Sequence, residues 1–303
     1  MREPRATLAT RQGALYPSLG SITKAWRPLL TFARRYPLGA ASALVILAIA
    51  AIAAAAPLVA PHDPSEVRLR DAKESPSSQF ILGTDYHGRD ILSRIVFGSR
   101  VSLQVAVLSV LLGTTLGAVW GVASGYKGGR FDMISQRILE IFLSFPALLL
   151  AMLLLVAIGA GIWTVIIAIG VTRVPYGVRV VRSVALSVKE STYVEAARAI
   201  GASDLRIMAL HVAPQCIAPY LILASAHLGV AIVIEASLGF IGAGIPEPTP
   251  TWGNMLGGAA GSNLIPLWWL VVFPGIAIAL TVLAFSLLGD AIRDAFDPKL
   301  RGR

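Results

Sequence analysis

The sequence predicts an all-α polytopic membrane protein with six transmembrane helices. Three observations carry that prediction. Of 303 residues, 55% are hydrophobic and only 14% charged. Apolar runs approaching twenty residues, the length that suits a hydrocarbon core of about 30 Å, recur along the whole chain. Basic residues gather at the ends of these runs rather than inside them, so the net charge of +9 reflects topology rather than a nucleic-acid surface. The lone Cys216 excludes an intrachain disulfide and a cysteine-based metal cluster. It stands at the start of a predicted span and reads as a buried structural thiol.

The predicted spans lie at about 38–60, 101–123, 139–160, 162–184, 218–243 and 267–289. The polar leader is too long, and the first apolar run too extended, for a typical cleaved signal peptide. The Ala-rich end Ala53–Ala56 keeps cleavage as a minor alternative. With both termini cytoplasmic, the inside segments are 1–37, 124–138, 185–217 and 290–303. Together with the inner end of the fourth span they hold 20 of the 26 Lys and Arg. The outer loop 61–100 balances its six basic residues with six acidic ones, and the outer loop 244–266 has no basic residue. That asymmetry follows the positive-inside rule. The resulting organisation is a cytoplasmic leader 1–37, a first span 38–60, an extracytoplasmic loop 61–100, a core 101–289 and a cytoplasmic tail 290–303.

One polar, helix-coded island interrupts the apolar core. In Ser191–Asp204, Thr192 and Glu195 match a capping box that would satisfy free amides at a helix start. Ala196, Ala197 and Ala199 favour helix, and Gly201 is placed to end it in a left-handed cap. Ser203 is placed to cap a second short helix that Pro214 stops. Such a helix-turn-helix, on the cytoplasmic side by charge counting, fits a docking element as well as an ordinary surface loop.

Gly113, Gly117, Gly121 and Gly125 recur every fourth residue on one face of the second span, a pattern that lets helix backbones approach closely in lipid. The row predicts a helix partner in this chain or another. Two ionisable residues fall inside predicted spans, where charge is costly and functional by default. At 1.5 Å per residue, Arg173 lies about 18 Å below the outer surface and Glu235 about 24 Å above the inner one. A depth difference of about 12 Å argues against their pairing. Arg173 fits a pathway residue attracting a carboxylate, but snorkelling with Arg179 and Arg182 is the favoured reading. Glu235 is read evenly as a group meeting an amino terminus or as an interhelical hydrogen-bond partner. His227 reads as a satisfied interhelical histidine. His62, His87 and His211 are far apart, no metal-ligand spacing appears, and no Ser/His/Asp set converges. Asp85, Arg89, Asp90 and Arg94 form a dense cluster outside the membrane, read as local structural pairing.

Glu195-Ala-Ala-x-x-x-Gly201 followed by Pro214 resembles the EAA loop of binding-protein-dependent ABC import permeases. The ending His211-Val-Ala-Pro214 departs from the Ile-x-Leu-Pro pattern, and its His is a mark of the peptide-importer branch. Leu82-Gly-Thr-Asp-Tyr-His-Gly-Arg-Asp-Ile-Leu-Ser-Arg94, with Gly98, Arg100 and Ser102, is similar to the outer-loop signature of the C-type subunit of dipeptide and oligopeptide importers. So are Ala236–Pro246 with Pro250–Leu256, Leu288–Arg301, and Ala56–Pro64. The resemblance covers nearly everything beyond residue 30. It implies a type I ABC importer permease fold in a bacterial inner membrane. It assigns ATPase coupling to Glu195, Ala196, Ala197, Gly201 and Pro214; Arg173 and Glu235 are candidate pathway residues on the separate ground of their charge within spans.

The chain has no G-x-x-x-x-G-K-[ST] loop, so ATP and Mg belong to partner subunits and the chain itself is not an enzyme. The implied partners are a second permease, two cytoplasmic ATPases, an external substrate-binding protein and a peptide, in membrane lipid and without nucleic acid. Alternatives are the same architecture carrying a nickel complex or an oligosaccharide, and a passive channel or membrane scaffold.

Overall fold

A computed structural model describes residues 31–261 and 267–296, and among them no strand is formed. Residues 31–35 are helical, within a unit that ends at Pro37. The helices that follow are α1 (Pro37–Ala54), α2 (Ala56–Val59), α3 (Ile91–Lys127), α4 (Gly129–Leu143), α5 (Ala147–Ile158) and α6 (Ile162–Val188). After them come α7 (Thr192–Ala199), α8 (Asp204–Ile207), α9 (Ile217–Phe240), α10 (Trp252–Gly261) and α11 (Trp268–Phe296). Among the described residues five stretches are long and apolar enough to cross a membrane, counting α8 through α9 as one, and the pair α4–α5 makes a sixth if its two arms are one span.

The differences from the expected spans have physical causes. Residues 139–160 do not form one straight helix: α4 and α5 meet at 89°. Pro146 offers no N–H to continue the ladder and pushes Phe145 out of helical geometry, so the chain turns there. Residues 91–100, expected within the loop 61–100, are the opening turns of α3. Asp90 caps them by accepting from the Ser93 amide at 2.9 Å. Likewise α11 continues past 289 to Phe296, while residues 1–30 and the end of the 290–303 tail lie outside the described residues.

The glycine row finds its partner in this chain. A methyl group added at Gly113, Gly117, Gly121 or Gly125 would come within 2.2 to 2.8 Å of the carbonyl oxygens of Gly170, Val174, Val178 and Arg182 on α6. Both rows step by four residues, so α3 and α6 touch backbone to backbone at four successive positions. Between lipid-embedded helices apolar burial offers no driving force, and such contact supplies dispersion instead. Around this pair lies a core of Val105, Val110, Ile166, Ile169, Ile232 and Leu238 from α3, α6 and α9. Helix α9 also packs on α10 and α11. Gly253 and Gly257 of α10 admit the backbone of Ala236 and Phe240, which seats the short helix against the end of α9.

Candidate functional site

Between α6 and α9 the chain makes two short helices held against the end of the bundle. Helix α7 starts differently from the expected capping box. Ser191, not Thr192, is the N-cap, with extended backbone (φ −78°, ψ 147°) and no side-chain cap. Its hydroxyl donates instead to the Val188 carbonyl at 2.5 Å, which also accepts the Ser191 N–H at 3.0 Å. Thr192 is therefore already inside the helix, and Glu195 is exposed.

The C-terminal expectation matches the structure. Gly201 has φ +83°, its N–H donates to Arg198 at 3.0 Å, and the Ala202 N–H donates to Ala197 at 3.1 Å. This double closure is the Schellman arrangement, which needs a left-handed residue at that position.

Pro214 does not stop the second helix. From α8 the backbone widens to a π-turn over Met208–Val212, tightens to a 3-10 turn over Ala213–Cys216, and continues into α9. The widened turn absorbs the bond that proline cannot donate. The short helices thus run straight into a membrane-length helix.

The faces of α7 were only partly legible. Val194 and Ala197 point inward and join a cluster with Val122, Tyr126, Val181, Ile207 and Val212. Ala197 is therefore part of the seat, and only Ala196 and Glu195 of the Glu-Ala-Ala run face outward. The outer surface also carries Tyr193, Ile200 (86% exposed) and Leu205 (74% exposed), which the sequence reading did not single out.

Polar contacts lock this element to the bundle. Tyr126, on the last turn of α3, donates to Asp204 at 2.8 Å, and the Arg198 guanidinium stands 5.6 Å from its ring centre. Nearby, Arg182 of α6 grips Asp132 of α4 through two contacts of 2.5 Å, and Ser124 of α3 donates to the same carboxylate at 2.5 Å. Three helices and the α7–α8 element are tied together within a short distance.

The two charges within the spans have separate fates, and among the described residues neither enters an ion pair. Arg173 does not snorkel: it is 5% exposed. Its Nε donates to Thr172 at 3.1 Å, and its guanidinium carbon lies 5.3 Å from the Tyr176 ring centre. Arg179 is exposed and Arg182 is paired, so the three arginines form no common stripe. Glu235 is buried and accepts from Ser102 at 3.0 Å, with the Thr251 hydroxyl as a second partner. It joins α3, α9 and the segment before α10. His227 lacks the expected interhelical bond: its Nδ1 is buried without a partner, and its ring stands edge-on to Tyr176 at 5.7 Å.

At the opposite end of α3, the charge cluster is buried and its pairing is only partly local. Arg89 donates to Asp85 at 2.6 Å and to Glu247 at 2.8 Å, and Arg94, 1% exposed, reaches Glu247 at 3.5 Å. Glu247 had no signal in the sequence, since it lies 158 residues from Arg89. The hydrogen bond from Arg89 holds its carboxyl below the ordinary value of 4.5.

The fold is that of a multi-span helical membrane protein with a compact, apolar-tipped element between two of its spans. The chain belongs to the family described as binding-protein-dependent transport system inner membrane component, which it matches over residues 113–302. It is therefore a multi-pass inner-membrane transport component, not an enzyme, in a family that works with an external binding protein and an ATPase.

Among similar proteins, a probable D,D-dipeptide transport system permease of Escherichia coli K12 is 39% identical over 88% of this chain and 89% of its own. A glutathione transport system permease of Pectobacterium atrosepticum is 39% identical over 93% of each chain. A di/tripeptide transport system permease of Pseudomonas aeruginosa is 40% identical over 85% of this chain and 87% of its own.

Proposed function

We propose that this chain is one of two permease subunits through which di- or oligopeptides enter the cell, handed over by an external binding protein and driven by two partner ATPases. The observation that carries the cargo is the similarity, across most of the chain, to permeases named for dipeptides, glutathione and di/tripeptides. Termini, leader and the α7–α8 element lie on the cytoplasmic side, in keeping with the concentration of Lys and Arg there. ATP and Mg are bound by the ATPases.

Coupling falls to the α7–α8 element. Its outward residues Glu195, Ala196 and Ile200 seat in an ATPase groove, while Ala197 and Gly201 keep the element stiff. Through Pro214 the helix runs into α9, so a push on α7 moves a membrane-length helix. Alternating access follows, the pathway facing outward when the ATPases close and inward when they part. Arg173 borders that pathway, and Glu235 holds α3, α9 and the α10 approach together near its outer mouth.

The test is to purify the cognate external binding protein and identify its bound ligand by mass spectrometry. A peptide is expected. A nickel chelate or an oligosaccharide in its place would retire the peptide reading and keep the importer.

A further inference from the structure

Arg173 is unusual among the buried charges of this protein. Asp85, Arg89, Arg94 and Glu235 all have polar partners that consume their charge or hydrogen bonds. Arg173 uses only Nε, toward Thr172, and its two terminal nitrogens meet no acceptor among the described residues. It is the twelfth residue of α6, about 17 Å from one end and about 23 Å from the other, hence near the middle of the bilayer. Its stem lies against Gly113, where a methyl group would come within 2.8 Å of the Arg173 Cβ.

Two further groups converge on the same spot. Tyr176 lies over the guanidinium and is 42% exposed, so the arginine is roofed by one aromatic ring and not sealed by packed helices. His227, 7% exposed, meets that ring from α9 and keeps an unpartnered Nδ1. A cleft of about 570 Å³ includes Val180, Leu223 and Ala226. Val180 is one turn along α6 from Tyr176, and Leu223 one turn along α9 from His227, so the cleft ends about one turn short of the three residues and none of them lines it.

We propose that Arg173, Tyr176 and His227 form a carboxylate-recognition site at mid-membrane that reads the free C-terminus of the peptide in transit. The proposal rests on the peptide-import reading above. A guanidinium with both terminal nitrogens open presents a planar fork that matches a carboxylate with two parallel hydrogen bonds. Tyr176 covers the cation by a cation–π contact when no anion is present and swings aside for one, adding its hydroxyl as a donor. His227 supplies a further polar contact from the facing helix. A permanent ion pair would enclose the guanidinium, whereas a half-exposed aromatic roof suits a passing ligand. The permease then selects for a free carboxyl terminus independently of the binding protein.

The test uses the assembled importer with both permeases, the ATPases and the binding protein in membrane vesicles. Uptake of di-alanine and of its C-terminal amide is measured for wild type, Arg173→Gln and Arg173→Lys. The affinity of the binding protein for each probe is measured separately. Both probes are also titrated into the purified complex without binding protein, and the shift in thermal midpoint is read.

Arg173→Gln is expected to lower di-alanine uptake at least tenfold and to abolish the midpoint shift by di-alanine, with smaller effects on the amide and partial rescue by Lys. Equal losses for both probes, or equal midpoint shifts in wild type and variant, would overturn the site while leaving peptide import standing. A variant complex that falls apart would overturn the site in favour of a structural role for Arg173 in assembly. Wild-type vesicles that accumulate neither probe, and a wild-type complex that binds neither, would count against the peptide reading itself.

Discussion

The Tyr126 hydroxyl donates to the Asp204 carboxylate at 2.8 Å, joining positions 78 residues apart. One partner ends α3, which lies along α6 through its glycine row. The other opens α8 at the turn where Ile200 and Leu205 stand exposed. A load on that turn therefore reaches the rigid α3–α6 pair directly, as well as through the continuous run into α9. Arg198, beside the same tyrosine ring, braces the last turn of α7 against the same post.

Tyr126→Phe keeps the ring for Arg198 and removes only the hydroxyl. The loss to folding should be about 1 kcal/mol, the worth of one partly solvated hydrogen bond. Transport should suffer more, because a loosened turn dissipates motion. Peptide uptake by membrane vesicles is expected to fall several-fold, with insertion and basal ATP hydrolysis retained. Uptake per ATP equal to wild type would remove Tyr126 from the coupling path.

Glu195→Ala combined with Gly201→Asp should abolish uptake and leave the protein inserted. Gly201 sits at φ +83° in open space, so an aspartate there meets no clash but costs about 1 kcal/mol in a left-handed conformation. It also places a negative charge at the C-terminal end of α7, where the helix dipole disfavours it. Immunoblotting of membranes alongside uptake separates the outcomes. Undiminished transport at normal expression would sink the coupling assignment.

The sequence revealed most where chemistry is local or periodic. The glycine row, the Gly201 cap and most of the spans each need only a short window of residues and appear in the structure; the exception is 139–160, which bends at Pro146. What escaped depends on residues far apart in the chain. Glu247 closes the Arg89–Arg94 cluster from a distant loop, and Tyr126 anchors Asp204 from another helix. Ala197 turned out to be a seat because inward and outward faces of an eight-residue helix are set by tertiary packing. The burial of Arg173 was misjudged for the same reason, since depth along a helix says nothing of which way it faces.

Helix contact along the glycine row makes a size-dependent prediction. At Gly117 a side chain would come within 2.6 Å of the Val174 oxygen and 2.8 Å of the Gly177 Cα. Neither backbone atom can yield cheaply. Gly117→Leu should separate α3 from α6, with an overpacking cost of about 1–3 kcal/mol at least. Gly275→Ala in α11, where nothing lies within 4 Å of the added methyl, should be neutral or slightly stabilising. Thermal unfolding of the two variants in detergent gives the comparison, and similar midpoints would refute backbone contact as the basis of the α3–α6 pairing.

The Arg89–Glu247 bond gives the loop network a defined pH response. Because Arg89 lowers the Glu247 carboxyl below 4.5, the folded protein holds that proton less tightly than the unfolded chain does. Its stabilising contribution is then complete above the ordinary value and disappears as pH falls through the lowered one. Glu247 is half-exposed, so the effect should be modest, and Glu247→Gln should unfold at a slightly lower temperature than wild type at pH 7. As pH falls through the lowered value the two should converge. Arg89→Ala should cost more, about 3–5 kcal/mol, because it strips the largely buried Asp85 of its closest cationic partner. Midpoints recorded for all three proteins from pH 3 to pH 7 decide the matter: a Glu247→Gln deficit that stays constant down to pH 3 would show that the carboxylate's charge contributes nothing to the latch.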